Sequence, residues 1–461
     1  MTETARAGGS SAVLFLASAV AFLAGFLFGY DNIVISGAIA HLARYFRLDP
    51  AAVGWAAGCA LVGSLIGSAL AGAIADRFGL KRALYGCAAC FALSSAGVWA
   101  AASFPQYVGW RMIGGIGTGA ASIVAPMYIA EIAPAKMRGR LVVLYQLGIV
   151  IGILCAVYVN MRIEISGTEA WQIARGWRWM FAVAALPAIV FAAIIAFSKE
   201  SPRWLMKTGR LAQAHSVLAA INGESIAADE AASISRSLAQ EHGGSRELLD
   251  GPYRRALLIG FALAALSQTS GITALLAFLP VVFQSAGQSA SNAFFQSVLV
   301  GIVNLVFTML AIWLVDRAGR RTLLLWGIAA QTAALVIVGC LYLSRAASNG
   351  ILAGVMAFVA GHAVGNGAVC WVIISEIFPT KVRGIAMSIA TTAIWIFAYL
   401  AAQFFPLMQS HLGTHGAFFV FAFMAAIDFL FVLLFVPETK GYSLEQISRI
   451  WLPRPTLDKT L

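Results

Sequence analysis

Long apolar stretches recur along this chain with hardly a charge inside them, and no other feature limits its fold as tightly. Twelve such runs can be marked, at about 11–39, 51–75, 83–102, 107–129, 141–161, 177–197, 255–283, 292–315, 322–343, 351–374, 384–408 and 413–435. Each is close to the roughly 20 residues a helix needs to cross the hydrocarbon core of a bilayer. Backbone N–H and C=O groups find no water there, so such runs must form helices that satisfy their own hydrogen bonds. With 60% hydrophobic and 11% charged residues over 461 positions, the chain lies far from the roughly half-apolar, quarter-charged soluble average. The expected class is an all-α membrane protein with twelve transmembrane helices. The first run is too long for a removable leader and lacks a cleavage site, so it is expected to stay as a span.

A net charge of +11 raises the possibility of nucleic acid as a partner, but its distribution argues against that. Basic residues collect in alternate loops: Arg77, Lys81 and Arg82; Lys136, Arg138 and Arg140; a cluster from Lys199 to Arg254; Arg317, Arg320 and Arg321; Lys381 and Arg383; then Lys440 to Lys459. The positive-inside rule puts these loops, and both termini, in the cytoplasm, with short loops favouring a bacterial inner membrane. Six cysteines all fall in apolar runs, and "CAAC" at Cys87 to Cys90 has no second ligand pair beside it, so it reads as helix packing. The histidines, including intramembrane His362, show no metal spacing, and no nucleophile motif appears. No enzyme activity, cofactor or metal is expected.

The loop motifs occur twice. "GAIADRFGLKR" is echoed by "WLVDRAGRR", "PMYIAEIAPAKMRG" by "WVIISEIFPTKVRG" and, more weakly, "KESPRWL" by "PETKGYSL", each about 240 residues apart and in the same order. The chain therefore reads as two parallel six-helix bundles, 1–198 and 255–436, with a cytoplasmic helical linker at 199–254 and a tail at 437–461. Parallel halves around a midplane site are a transporter plan, in which one bundle rocks against the other. Asp76, Arg77, Glu131, Arg138, Glu200, Arg203, Asp316, Arg317, Glu376, Arg383 and Glu438 fall at the cytoplasmic ends of the runs. If they pair across the halves when the inner side is closed, they form a cytoplasmic gate.

These motifs resemble those of the sugar porter family of the major facilitator superfamily over essentially the whole chain. The matching residues are "GYDNIVISGA", "DRFG", "RMIGGIGTGAAS", "PMYIAEIAPAKMRG", "KESPRWL", "DRAGRR", "CWVIISEIFPTKVRG" and "PETKG". Leu80 departs from the basic residue usual in the family's loop. The resemblance implies the major facilitator fold and transport of a monosaccharide or related polyol. It places Gln146, Gln268, Asn304, Gly367 and Trp371 at sugar contacts, with Phe28 lining the pocket.

The residues themselves point to proton coupling. Asp31 in "FLFGYDNIVISGA" is a lone carboxylate in a span, which costs roughly 2.5 to 3.5 kcal/mol at a membrane helix centre and so needs employment. Arg111, opening "RMIGGIGTG" in the fourth run, is its expected partner, and the glycines after it allow close helix approach. A carboxylate that alternates between an arginine and an apolar surrounding binds and releases a proton. Asp31 is thus the expected carrier and Arg111 its modulator. The resemblance agrees, although Ala184 stands where some proton-coupled members carry an acid. The polar run "SQTSGIT" with Ser267, Gln268 and Thr273, together with Asn366 and Trp395, completes the expected substrate site. Ser267, Thr273 and Ile394 replace amides common in the family, which points to an altered ligand preference. Proton-driven symport by a monomer in the lipid bilayer is the leading expectation. A sugar uniporter with a structural Asp31, a carrier of a non-sugar solute, and a signalling receptor are the alternatives.

Overall fold

A computed structural model describes residues 11–134, 137–239, 251, 253–344, 348–378 and 382–440. Helices account for all the regular structure among them. Eleven are long and apolar enough to cross a membrane: Ala12–Phe46, Pro50–Phe78, Leu80–Ala100, Phe104–Ile132, Gly139–Glu164, Glu169–Phe197, Arg254–Ala277, Ala290–Ala318, Arg320–Leu343, Asn349–Ile377 and Gly384–Phe435. The last runs for 52 residues and breaks at Gly413, whose φ of +71° no helix contains. It supplies spans eleven and twelve, so the twelve expected spans are present. Large apolar side chains remain outward, among them Phe197 at 75%, Trp326 at 73% and Leu434 at 70% exposure, as a lipid-facing surface requires.

Two corners show how the repeated motif folds. Gly79 (φ +94°) ends span two and opens span three, and Gly319 (φ +91°) does the same between spans eight and nine. That backbone region suits glycine, and a carboxylate occupies the space a side chain would need: an added Cβ would lie 2.4 Å from Glu200 and 2.9 Å from Glu438. Glu200 accepts the Lys81 N–H at 3.0 Å. Glu438 accepts those of Arg320 and Arg321 at 3.0 and 3.1 Å. Each glutamate thus caps the helix that follows the corner, where unpaired N–H groups and the helix dipole favour an anion.

Between the two sets of spans run the short helices Pro202–Lys207, Leu211–Asn222 and Glu224–Ala239. The second buries Ala214, Val217, Leu218 and Ile221, a helical-period stripe.

The apolar core is divided unevenly. One cluster joins both halves, with Tyr107, Trp177 and Phe181 from the first and Phe278, Phe283, Phe405 and Phe418 from the second. The clusters near the charged loop motifs are separate, one built from residues before 222 and the other from residues after 255. The halves are therefore packed together at the end away from the motifs. Gln403 donates to the Ala51 carbonyl at 2.9 Å there, Trp55 meets Tyr399 edge-on at 5.9 Å, and Gly54 and Gly58 have no room for a Cβ beside Gln403 and Tyr399.

Candidate functional site

Span one stays helical through Val34 (φ −54°, ψ −32°), whose N–H donates to the Tyr30 carbonyl at 2.9 Å. Asp31 lies one turn before that residue. Gly25 and Gly29 set span one against span five so closely that a Cβ would lie 2.1 and 2.0 Å from the Tyr145 and Ile149 carbonyl oxygens. Gly115 and Gly119 do the same for span four against span two, at 2.0 and 1.9 Å from Ala60 and Ser64. Small residues at helix contacts permit such approach in membranes, and here they fix the walls around Asp31.

The structure brings Asp31 and Arg111 together. Arg111 Nη1 donates to Asp31 Oδ1 at 2.5 Å and Nη2 to the Asp31 carbonyl at 3.2 Å. Thr118 Oγ1 donates to the other carboxylate oxygen at 3.0 Å. The Arg111 guanidinium also stands 5.0 Å from the Phe181 ring centre. Asp31 is 8% and Arg111 2% exposed, so this is a buried, hydrogen-bonded ion pair. Sequence reasoning missed Thr118, although it lies seven residues beyond Arg111 and so shares its helix face.

The expected substrate residues fall into two groups. Gln268 is engaged within the protein: it accepts from Thr273 Oγ1 at 2.9 Å and reaches Ser267 Oγ at 3.4 Å. Ser267 itself is 2% exposed and donates to the Ala264 carbonyl at 2.8 Å. These residues surround Gly271 (φ +80°), where span seven is interrupted, and broken helices are tolerated at membrane depth where they line a cavity or protein. By contrast, Gln146 of span five, half-buried, and Asn304 of span eight, buried, make no hydrogen bond among the described residues. Asn304 sits one turn from Gly301, which packs on Leu154 and Val157 of the first half. Phe28 and Trp395 meet across the halves with ring centres 5.9 Å apart. Trp371 is 39% exposed, and Gly367 ends a wider, π-type turn at Ala363–Gly367 in span ten.

Among the described residues, the charged motif residues of the first half pair with the linker, and those of the second half pair with one another. Lys207 meets Asp76 at 2.9 Å, Glu131 accepts from Ser201, and Arg203 reaches Ser237 at 3.4 Å. In the second half Arg320 meets Asp316 at 2.9 Å and Glu376 at 3.4 Å. Arg77 and Arg317 lie over the rings of Phe78 and Trp313. The side chains of Arg138 and Arg383 lie outside the described residues, as does the tail beyond residue 440. No described group of three or more His, Cys, Asp or Glu residues could hold a metal.

A second intramembrane acid escaped the sequence reading. Asp428 of span twelve is 0% exposed and accepts from Asn366 Nδ2 at 2.9 Å. The signal was the one that singled out Asp31, a lone acid in "AAIDFLF".

The model of the family described as Sugar (and other) transporter matches residues 17–451. The chain belongs to the sugar transporter family. It is 36% identical over 445 residues to the arabinose-proton symporter of Bacillus subtilis, covering 96% of each chain. Against the D-xylose-proton symporter of Escherichia coli K12 it is 36% identical over 479 residues, covering 96% of this chain and 97% of the other. The inward-open structure of the xylose transporter XylE from E. coli superposes with a TM-score of 0.85 at 34% identity, covering 95% of this chain and all of that one. This sugar transporter family member therefore has the major facilitator fold, and its two halves are joined at one end and separated at the motif end.

Proposed function

We propose that this protein carries a monosaccharide or related polyol across a bacterial inner membrane together with protons, as a monomer working by alternating access. The buried cluster of Asp31, Arg111 and Thr118 carries this reading. In a family of sugar carriers, a facilitator has no need for a carboxylate held in the membrane, and a proton-driven carrier does. With Arg111 at 2.5 Å the two charges compensate one another; a shift of span one relative to span four that lengthens this contact frees the carboxylate to take up a proton. Rocking of the halves supplies such a shift.

Sugar hydroxyls need groups that both donate and accept, and a flat apolar surface for the ring carbons. Gln146 and Asn304 are the unspent amides, Phe28, Trp371 and Trp395 the aromatic surfaces, and Gln268 with Ser267, Thr273 and Gly367 the far wall. With the motif loops and both termini cytoplasmic, the separated end faces inward. Asp76, Arg77, Glu131, Arg138, Glu200, Arg203, Asp316, Arg317, Glu376, Arg383 and Glu438 then form the cytoplasmic gate, pairing across the halves when it closes. Bundles 1–198 and 255–436 are the moving bodies, with 199–254 as linker and 437–461 as tail.

The test is uptake of labelled pentoses, hexoses and cyclic polyols into proteoliposomes, with and without an inward proton gradient, for the parent and Asp31→Asn. The parent accumulates one substrate above equilibrium only with the gradient, while the variant exchanges substrate without accumulating it. Equal uptake with and without the gradient makes the protein a uniporter, and failure of every sugar and polyol removes the substrate assignment.

A further inference from the structure

The proton-coupling cluster makes no use of Asp428, yet this acid has the more demanding surroundings. Its carboxyl is fully buried, has no basic side chain in ion-pair range among the described residues, and accepts a single hydrogen bond from Asn366. Two occluded oxygens in this pair lack any donor: Oδ1 of Asp428 and Oδ1 of Asn366. The groups that face it are few. Span ten adds the buried thiol of Cys370, which lies beside Ser267 of span seven. Arg254 and Arg255, in the first turn of span seven, are exposed, and Arg321 of span nine donates to the Leu433 carbonyl at 2.5 Å, so none of the three pairs with Asp428 among the described residues.

An ionised carboxylate here would be an uncompensated charge with an orphaned oxygen, beside an amide with another. An isolated buried ion of this kind neutralises instead of persisting. One proton removes the charge and turns a carboxyl oxygen into a donor, in a pair that otherwise has acceptors to spare. Asn366 lies inside the π-type turn Ala363–Gly367, a distortion common at functional sites. The pair therefore ties that turn to span twelve.

We infer that Asp428 holds a proton in this conformation, and that the neutral acid–amide clasp it forms with Asn366 positions the bulged turn of span ten that carries Gly367 and leads to Trp371. Asp428 is a positioning residue, acting on the site through Asn366. The proton assignment stands by itself, and the consequence for the ligand rests on the sugar-site reading above.

Infrared difference spectroscopy on the full chain in nanodiscs, parent minus Asp428→Asn near neutral pH, reads the proton directly. The expected result is loss of the carbonyl stretch of a protonated carboxylic acid, shifted by deuteration; a difference showing only ionised carboxylate bands overturns the proposal. D-xylose affinity, followed by tryptophan fluorescence across pH in an Asp31→Asn background, reads the positioning. Alkaline pH strips the clasp and weakens binding on the order of fivefold. Adding Asp428→Asn, whose amide keeps a clasp without a proton, abolishes that alkaline loss, while Asp428→Ala weakens binding at every pH. An alkaline loss that survives Asp428→Asn overturns the positioning role. If the parent binds no D-xylose at any pH, the sugar reading fails, and the infrared band still decides the proton.

Discussion

Asp31 and Asp428 are both acids inside membrane helices, 8% and 0% exposed, and their neighbours differ in kind. Asp31 has a guanidinium at 2.5 Å and a hydroxyl at 3.0 Å, whereas Asp428 has one amide at 2.9 Å. A cation beside a buried carboxyl favours the charged form, whereas burial without a cation favours the neutral one. The contrast separates two uses of an acid in a membrane. An ion pair can be parted by relative motion of its two helices, so it suits a group that must change state in every cycle. A neutral clasp has no charge to release and suits a fixed joint between neighbours within one half.

Arg111→Leu is the harshest way to break the comparison, because it gives Asp31 the cation-free surroundings that Asp428 already has. Removing one partner of a buried pair typically costs about 3 to 5 kcal/mol. Thermal unfolding of the purified carrier should show a loss of that size at neutral pH, and Arg111→Leu combined with Asp31→Asn should recover most of it. A single-variant loss no larger than that of the double would mean that the two side chains do not stabilise one another. Thr118→Val is gentler, since it deletes one hydrogen bond to the Asp31 carboxylate and leaves Arg111 in place. It should cost about 1 kcal/mol. It should also lower gradient-driven accumulation less than Asp31→Asn does, and an equal loss of accumulation would make Thr118 indispensable to the coupling.

How much of this was legible in the sequence depended on the scale of the signal. Spans repeat over some twenty residues each, and bilayer thickness fixes their length, so helix number and class could be read directly. Asp31 and Arg111 could be matched because the first half offers one acid and one arginine deep in apolar runs. Thr118 was hidden because threonines are common in such helices and only a shared face marks this one. Asp428 was hidden for another reason. The doubled motifs drew attention to acids with a counterpart in the other half, and span six, about 240 residues before Asp428, has Ala188 and no acid there. The weakest of the three repeats, around Glu200 and Glu438, does the same work in both halves, because capping a backbone corner tolerates change in the neighbouring side chains. The engagement of Gln268 by Thr273, against the unbonded amides of Gln146 and Asn304, depends on tertiary placement that no pattern of residues encodes.

Glu438 supplies a third environment that sharpens the contrast, a carboxylate held charged by backbone donors at the membrane edge. Burial pushes its carboxyl up, but the N–H groups of Lys440, Arg320, Thr439 and Arg321 outweigh this and hold it below the ordinary glutamate value. A depressed folded value means a contribution to stability that is fully present above the unfolded glutamate's value of about 4.3 and is lost as pH falls through the folded one. Glu438→Gln keeps an acceptor but removes the charge, so its effect is the smallest of the three substitutions. Its Tm should lie below that of the parent at pH 7, and the difference should shrink as pH drops under about 4. A difference that stays constant through that range would show that shape, not charge, fills the corner at Gly319, and would leave Glu438 outside the electrostatic comparison with Asp31 and Asp428.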